Sequence, residues 1–281
     1  MLRDRAVHPD VPAGRSRYPP PMSMREAADS SPDWDATTYD RVADPQTRWG
    51  TAVLDRLPLQ GDETVIDAGC GTGRVTQQLL HRLPRGRVVA LDTSAAMLEQ
   101  ARRRLGGDDR VHFVHADLLS FAAADIGATA PADAVLSTAT FHWVLDHDRL
   151  FANIASVLRH GGRLVAQCGG RGNIEELTAV VQSLGVERPG RWLYASVNDT
   201  TRRLAGAGFT DMDVWTNEEP TPFDTATQLR DFLEAVCLRE CVAPMSPDKR
   251  QHFLDEVVAR MPARVIDYVR LNIVAVRRPD L

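Results

Sequence analysis

Lysine is almost missing from the chain. Lys249 stands alone among 33 basic residues, a bias we attribute to coding composition. Positive charge is not in excess either, because the formal net charge is −5. A surface that tracks nucleic-acid phosphates needs clustered surplus cation, so general nucleic-acid binding is not expected. No run reaches the roughly 18 consecutive apolar residues of a membrane span. The opening stretch "MLRDRAVHPDVPAGRSRYPPPMSM" lacks the apolar core of a secretory signal. The expectation is a cytoplasmic enzyme without a membrane partner. The four cysteines, Cys70, Cys168, Cys237 and Cys241, have neither disulfide-scaffold nor zinc-knuckle spacing. Cys237 and Cys241 fit one helix face as small apolar core residues, and no metal is expected. No internal repeat is present, and the pattern sets no oligomeric state.

What is present is ordinary globular sequence, 43% hydrophobic and 25% charged over 281 residues. Residues 1–31 are rich in Pro, Arg and Ser without apolar periodicity, which predicts a disordered or loosely ordered segment. From Trp34 a helical pattern begins, with Val53, Leu54 and Leu57 on one face and Pro58 as its stop. Short aliphatic strands then alternate with amphipathic helices. "TVIDAG", "RVVALD", "VHFVHADL", "ADAVLST" and "RLVAQCGG" are the strands. "DHDRLFANIASVLRHGG" is expected to stay helical until Gly161. This alternation predicts an α/β, doubly wound, Rossmann-like sheet. Residues 32–170 would form the cofactor-binding core. Residues 171–281 would complete the sheet with "VIDYVRLNIVAV" and insert helices, among them "TATQLRDFLEAVCLREC", as a substrate cap.

In "VIDAGCGTG", Gly69, Gly71 and Gly73 fall in the first strand-to-helix turn, where ligands of such sheets bind. Glycine there allows positive φ and close ligand approach. A dinucleotide fingerprint would need glycine at position 74, which is Arg74, and the G-K-S/T of a phosphate loop is absent. Asp92 ends the second strand, where a carboxylate can accept from both ribose hydroxyls. Asp117 ends the third, where it can accept from an adenine amino group while Met97 or Leu118 packs on the ring. A nucleoside site with no phosphate site fits S-adenosylmethionine. Asp67, Cys70, Thr93, Ala116 and Thr138 complete the expected cofactor wall.

The glycine motif, Asp92 and "HADL" together resemble the class I S-adenosylmethionine-dependent methyltransferases. That resemblance implies a seven-stranded sheet with an antiparallel last strand. A narrower resemblance is to the trans-aconitate methyltransferase group, which methylates small-molecule carboxylates. It is carried by "WDATTY" from Trp34 to Tyr39, Arg48, and "ATFHWVLDH" after the fourth strand. It implies that Trp34 and Tyr39 lie against cofactor and substrate, and that Arg48 reaches the methionine carboxylate. His142 stands where relatives commonly have Gln and is the candidate base, with Tyr39 the second catalytic candidate and Trp143 a candidate pocket wall. Arg171, Arg191, Arg230 and Arg239 are candidates for holding an acidic acceptor. The expected reaction is O-methylation of a small carboxylate. Its rivals are C-methylation of a hydrophobic acceptor, with "LRDFLEAVCL" shaping the pocket, and cofactor binding without methylation.

Overall fold

The computed structural model describes residues 44–127, 130–187 and 192–279, with side chains from Trp49 onward. The segment 1–31, Trp34 and Tyr39 therefore lie outside the described residues. The first helix, α1, is Asp44–Leu54. Alternation follows as read from the sequence: β1 Thr64–Ala68, α2 Arg74–Arg82, β2 Arg87–Asp92, α3 Ala95–Leu105 and β3 Val111–His115. Ser94 caps α3 by accepting the Met97 amide at 3.3 Å. After the short α4, Ala123–Ile126, come β4 Ala132–Thr138, α5 His147–Val157 and β5 Leu158–Gly169. Next are α6 Glu175–Ser183, α7 Val197–Gly206, β6 Phe209–Glu218 and β7 Thr221–Pro222. The chain ends with α8 Ala226–Phe232, α9 Arg239–Val242, α10 Pro247–Arg260, β8 Val265–Ile266 and β9 Val269–Arg277.

The main sheet has seven strands in the order β3-β2-β1-β4-β5-β9-β6. Strands β1 to β5 pair in parallel, and β9 is antiparallel to both neighbours. The strand order reverses between β1 and β4, which places the ligand crevice beyond the carboxyl ends of these strands. On one face Val53, Leu54 and Leu57 join Val75, Leu79 and Leu83 over Val65, Leu136 and Val165. On the other, Phe151, Ile154 and Leu204 cover Ile66, Val135, Leu164 and Ile273. A separate cluster joins α6, α8 and α10 into a cap, and Trp49 of α1 belongs to it.

Two elements differ from the sequence reading. The helix expected to reach Gly161 ends at Val157, and Leu158 is already extended at φ −79°, ψ 144°. Leu158 pairs with Ala132 of β4, so a long-range ladder wins over helical periodicity. The cap stretch "TATQLRDFLEAVCLREC" is not one helix. After α8 it widens into a π turn, Leu233–Cys237, where the Leu238 amide reaches back to the Leu233 carbonyl at 2.7 Å.

Candidate functional site

The three glycines of the first turn share a positive φ but not a task. Gly69 has φ +79°, and a Cβ there would stand 2.2 Å from Thr140 Oγ1. Gly73, at φ +80°, lies 3.1 Å from Leu105 and 3.2 Å from Ala101 by the same measure. These two let the turn pack on the β4 exit and on α3. Gly71, at φ +54°, has no heavy atom of the described residues within 4 Å in that direction. Open space at Gly71 is where a ligand can approach the backbone.

Two carboxylates flank this opening. Asp92 Oδ2 accepts the Gly71 amide at 2.9 Å, and Oδ1 accepts the Ser94 amide at 2.9 Å. Each oxygen keeps lone-pair capacity for a further donor, as two ribose hydroxyls require. Burial raises the Asp92 pKa, against the pull of the Ser94, Gly71 and Thr93 amides. Asp67 is wholly buried, and its Oδ2 accepts the Thr76 hydroxyl at 2.6 Å. Its Oδ1 has no hydrogen-bond partner among the described residues. Burial pushes Asp67 up to about 6, with the Thr76 hydroxyl opposing and the Asp92 charge adding to the rise. An orphaned buried oxygen beside a second anion suits a cationic ligand and repels a phosphate. The sulfonium cofactor fits this cradle; a dinucleotide does not.

The rest of the expected cofactor wall divides by exposure. Met97 and Leu118 are buried and apolar. Asp117 is exposed, and its Oδ1 accepts the Leu119 amide at 2.8 Å. Thr93 is exposed with its carbonyl on His115 Nε2 at 2.9 Å, and the Ala116 amide donates to the Asp92 carbonyl at 3.2 Å. Cys70 packs with Ala90 and Leu98, and burial followed by Asp92 and Asp67 drives its thiol well up. Cys70 thus adds inert packing rather than a reactive thiol. Arg48 lies on α1, with its side chain outside the described set.

At the β4 exit, the Thr138 carbonyl accepts the Thr140 hydroxyl at 2.9 Å, and Ala139 adopts φ +55°. A non-glycine residue in that region stores strain, as binding sites often do. The turn Phe141–Trp143 then brings His142 beneath Gly169, whose amide donates to His142 Nδ1 at 3.3 Å. The imidazole is flanked by Trp143 at 5.2 Å and Tyr194 at 6.0 Å between ring centroids. Trp143 in turn meets Trp192 edge-on at 5.5 Å. Burial first, then the charge of Arg270 and then His147, hold His142 well below the ordinary histidine value.

Two of the arginines singled out in the sequence are engaged elsewhere. Arg171 is exposed and pairs with Asp199 at 3.6 Å, and Arg230 pairs with Asp231 at 3.4 Å and Asp255 at 3.6 Å. Arg239 sits in the cap on α9, and Arg191 lies outside the described residues. Among the described residues, Arg270 is a cation whose charge acts on His142; it is only 2% exposed, with its guanidinium 4.3 Å over the Trp49 ring. Nothing local marks it, since it lies within the last strand. Only the sheet order could reveal it.

The strand reversal beside one bare turn, with Asp92 placed for ribose hydroxyls and the buried Asp67 suited to a cation, puts the chain among proteins of Rossmann-like fold that hold an adenosyl sulfonium cofactor. A protein-family model described as Methyltransferase domain matches residues 65–162. The trans-aconitate 2-methyltransferase of Methylobacterium radiotolerans is 32% identical, over 79% of this chain and 86% of its own. That of Azoarcus sp. is 31% identical, over 88% of this chain and 100% of its own. Haemonchus contortus phosphoethanolamine N-methyltransferase 2, solved with S-adenosyl-L-methionine, shares the fold at TM-score 0.60 and 20% identity. That match covers 92% of this chain, which spans 60% of the Haemonchus chain. The chain belongs to the trans-aconitate 2-methyltransferase family, within the class I S-adenosylmethionine-dependent methyltransferases.

Proposed function

We propose that the protein transfers the methyl group of S-adenosylmethionine to a carboxylate oxygen of a small organic acid. A carboxylate oxygen attacks the sulfonium methyl, the C–S bond breaks, and its electron pair stays on sulfur as S-adenosylhomocysteine. No proton moves, because a carboxylate is already ionised at pH 7. The observation that carries this reading is the Gly169 amide donating to His142 Nδ1 at 3.3 Å. With Nδ1 so occupied, the neutral ring carries its proton on Nε2. With its pKa held well below the usual value, His142 is a hydrogen-bond donor and a poor base. A phenol or carbon acceptor would need a base; a carboxylate needs only alignment and removal of water.

The cap supports the same reading. Leu229, Phe232, Leu233 and Leu238 are all but wholly buried in the cap's own cluster, so this stretch is occupied as internal core. Trp143, beside His142, is taken as a wall of the acceptor pocket. An acid panel with a labelled methyl donor tests the proposal. Label released by mild alkali indicates an ester; alkali-stable label on the acceptor contradicts it. His142→Gln should keep most turnover, because Gln also offers a donor. A large loss in kcat together with a lost acidic limb of the pH profile would mean that His142 is a base.

A further inference from the structure

Beside the candidate acceptor pocket lies a second cavity, about 400 Å³, that the proposed methyl transfer leaves unused. Its lining includes Asn173, Glu175, Gln182, Glu187, Trp192 and Tyr194. Tyr194 stands 6.0 Å from the His142 ring, and Trp192 stands 5.5 Å from Trp143, so the two spaces share an aromatic wall. The segment that carries both rings is tied down. The Leu193 amide donates to the His142 carbonyl at 2.8 Å, and the Arg171 amide donates to the Ala195 carbonyl at 3.0 Å. A volume of this order holds a small molecule rather than one water.

The cavity is negative. Glu175 and Glu187 are exposed, and neither forms an ion pair among the described residues. Glu175 opens α6, where a carboxylate complements the helix dipole, but Glu187 lies past the end of that helix and has no such task. Trp192 and Tyr194 add aromatic faces, which attract a cation. No group of three or more His, Cys, Asp or Glu is placed to hold a metal among the described residues. The complementary ligand is therefore an organic cation.

Asn173 adds a second requirement. It is only 5% exposed, and its Oδ1 accepts the Val269 amide at 3.0 Å. A backbone N–H needs an oxygen, so that bond fixes the side-chain amide and makes its other end a donor. Nδ2 has no hydrogen-bond partner among the described residues, although an unpaired donor in a buried side chain is costly. Gly169 makes room for it, since a Cβ there would stand 2.9 Å from Nδ2 and 2.8 Å from the Tyr194 ring. A donor held in this way is matched to an oxygen on the ligand.

We infer that this cavity binds a small organic ammonium ion that also carries a hydroxyl, a ligand of the amino-alcohol type. The ammonium group lies against Glu175, Glu187 and the Trp192 face, and the hydroxyl oxygen accepts from Asn173 Nδ2. Binding makes and breaks no covalent bond. The cavity shares no residue with the cofactor cradle at Asp67 and Asp92, and it serves whatever acceptor is methylated.

Isosteric probes separate the parts of this site. They are 3-aminopropan-1-ol, butan-1-ol with a methyl in place of the ammonium, and butylammonium with a methyl in place of the hydroxyl. Each is titrated into the full chain saturated with S-adenosylhomocysteine, which fills the cradle at Asp67, and binding is read by ligand-observed NMR. The amino alcohol should bind with a Kd of about 1–10 mM, as befits so small a ligand. It should bind at least about 10-fold more tightly than butanol and about 5-fold more tightly than butylammonium. Glu175→Gln combined with Glu187→Gln, both at exposed positions, should weaken the amino alcohol about 10-fold and leave butanol unchanged. Calorimetry should show that this variant binds S-adenosylhomocysteine as the wild type does, and the probe comparison in the wild type stands whether or not it folds. Equal binding of the amino alcohol and butanol overturns the cation site, and so does an affinity unmoved by loss of both glutamates in a variant that binds S-adenosylhomocysteine. Butylammonium binding as tightly as the amino alcohol overturns the role given to Asn173.

Discussion

Replacing Asp67 by asparagine should change how stability depends on pH, in a direction fixed by the site's geometry. Asp67 is wholly buried with one oxygen on Thr76 and the other without a partner among the described residues, and its pKa is raised from 3.8 to about 6. In the unfolded chain the same carboxyl ionises near 3.8. Between these values the folded state holds more protons, so stability falls as pH rises through the window. Two pKa units at about 1.4 kcal/mol each put the full loss at about 3 kcal/mol, roughly half of it above pH 5. Asparagine does not titrate, and Thr76 can still donate to its carbonyl oxygen. The stability of Asp67→Asn minus that of wild type should therefore grow by roughly 2.5 kcal/mol between pH 4 and pH 8, read from urea midpoints. The difference cancels the carboxylates common to both proteins. The cofactor's positive charge should restore ionisation, so binding it near pH 6 should release protons, seen by calorimetry in buffers of different ionisation enthalpy. A stability difference that is flat with pH would refute the reasoning, and so would cofactor binding without proton release.

Four further outcomes follow from the same geometry. Asp92→Ala should weaken S-adenosylhomocysteine binding by about 100-fold in calorimetry, by removing the acceptor of two hydroxyls. Gly71→Ala should lower stability by only about 1–2 kcal/mol, the left-handed backbone penalty, yet strongly impair cofactor binding because its methyl enters the crevice. Gly69→Ala should add to that penalty a collision with Thr140, costing about 1–3 kcal/mol more in denaturant melts. Trp49→Ala should cost about 3–5 kcal/mol of stability in the same melts, because a nearly wholly buried indole is lost.

Local chemistry made much of this molecule legible. Strand-forming aliphatic runs, the glycine turn and acids at successive strand ends are all short-range patterns, and the folded chain keeps them in that order. The glycines looked equivalent in the sequence, because whether a missing Cβ faces Thr140, α3 or open space depends on residues about 30 to 70 positions away. The end of α5 was misread because Leu158 pairs with Ala132 across the sheet, which helical periodicity does not encode. Arg270 was hidden for the same reason. Its place beside the site follows from β9 inserting antiparallel between β5 and β6, after two excursions into the cap. Sequence reasoning instead offered Arg171, Arg191, Arg230 and Arg239 without choosing among them, and of these Arg171 and Arg230 pair with surface acids. His142 was located correctly after the fourth strand, but its protonation depends on the Gly169 amide 27 residues away.

The most direct test is the fate of a labelled methyl group. Protein, trans-aconitate and methyl-labelled S-adenosylmethionine are incubated at pH 7.5, and the acid product is analysed by mass spectrometry before and after mild alkali. The account predicts one label per acid, formed in step with S-adenosylhomocysteine and released by alkali as methanol. Label that survives alkali on the acid's carbon skeleton, or no label on any di- or tricarboxylate while the cofactor binds normally, would contradict it.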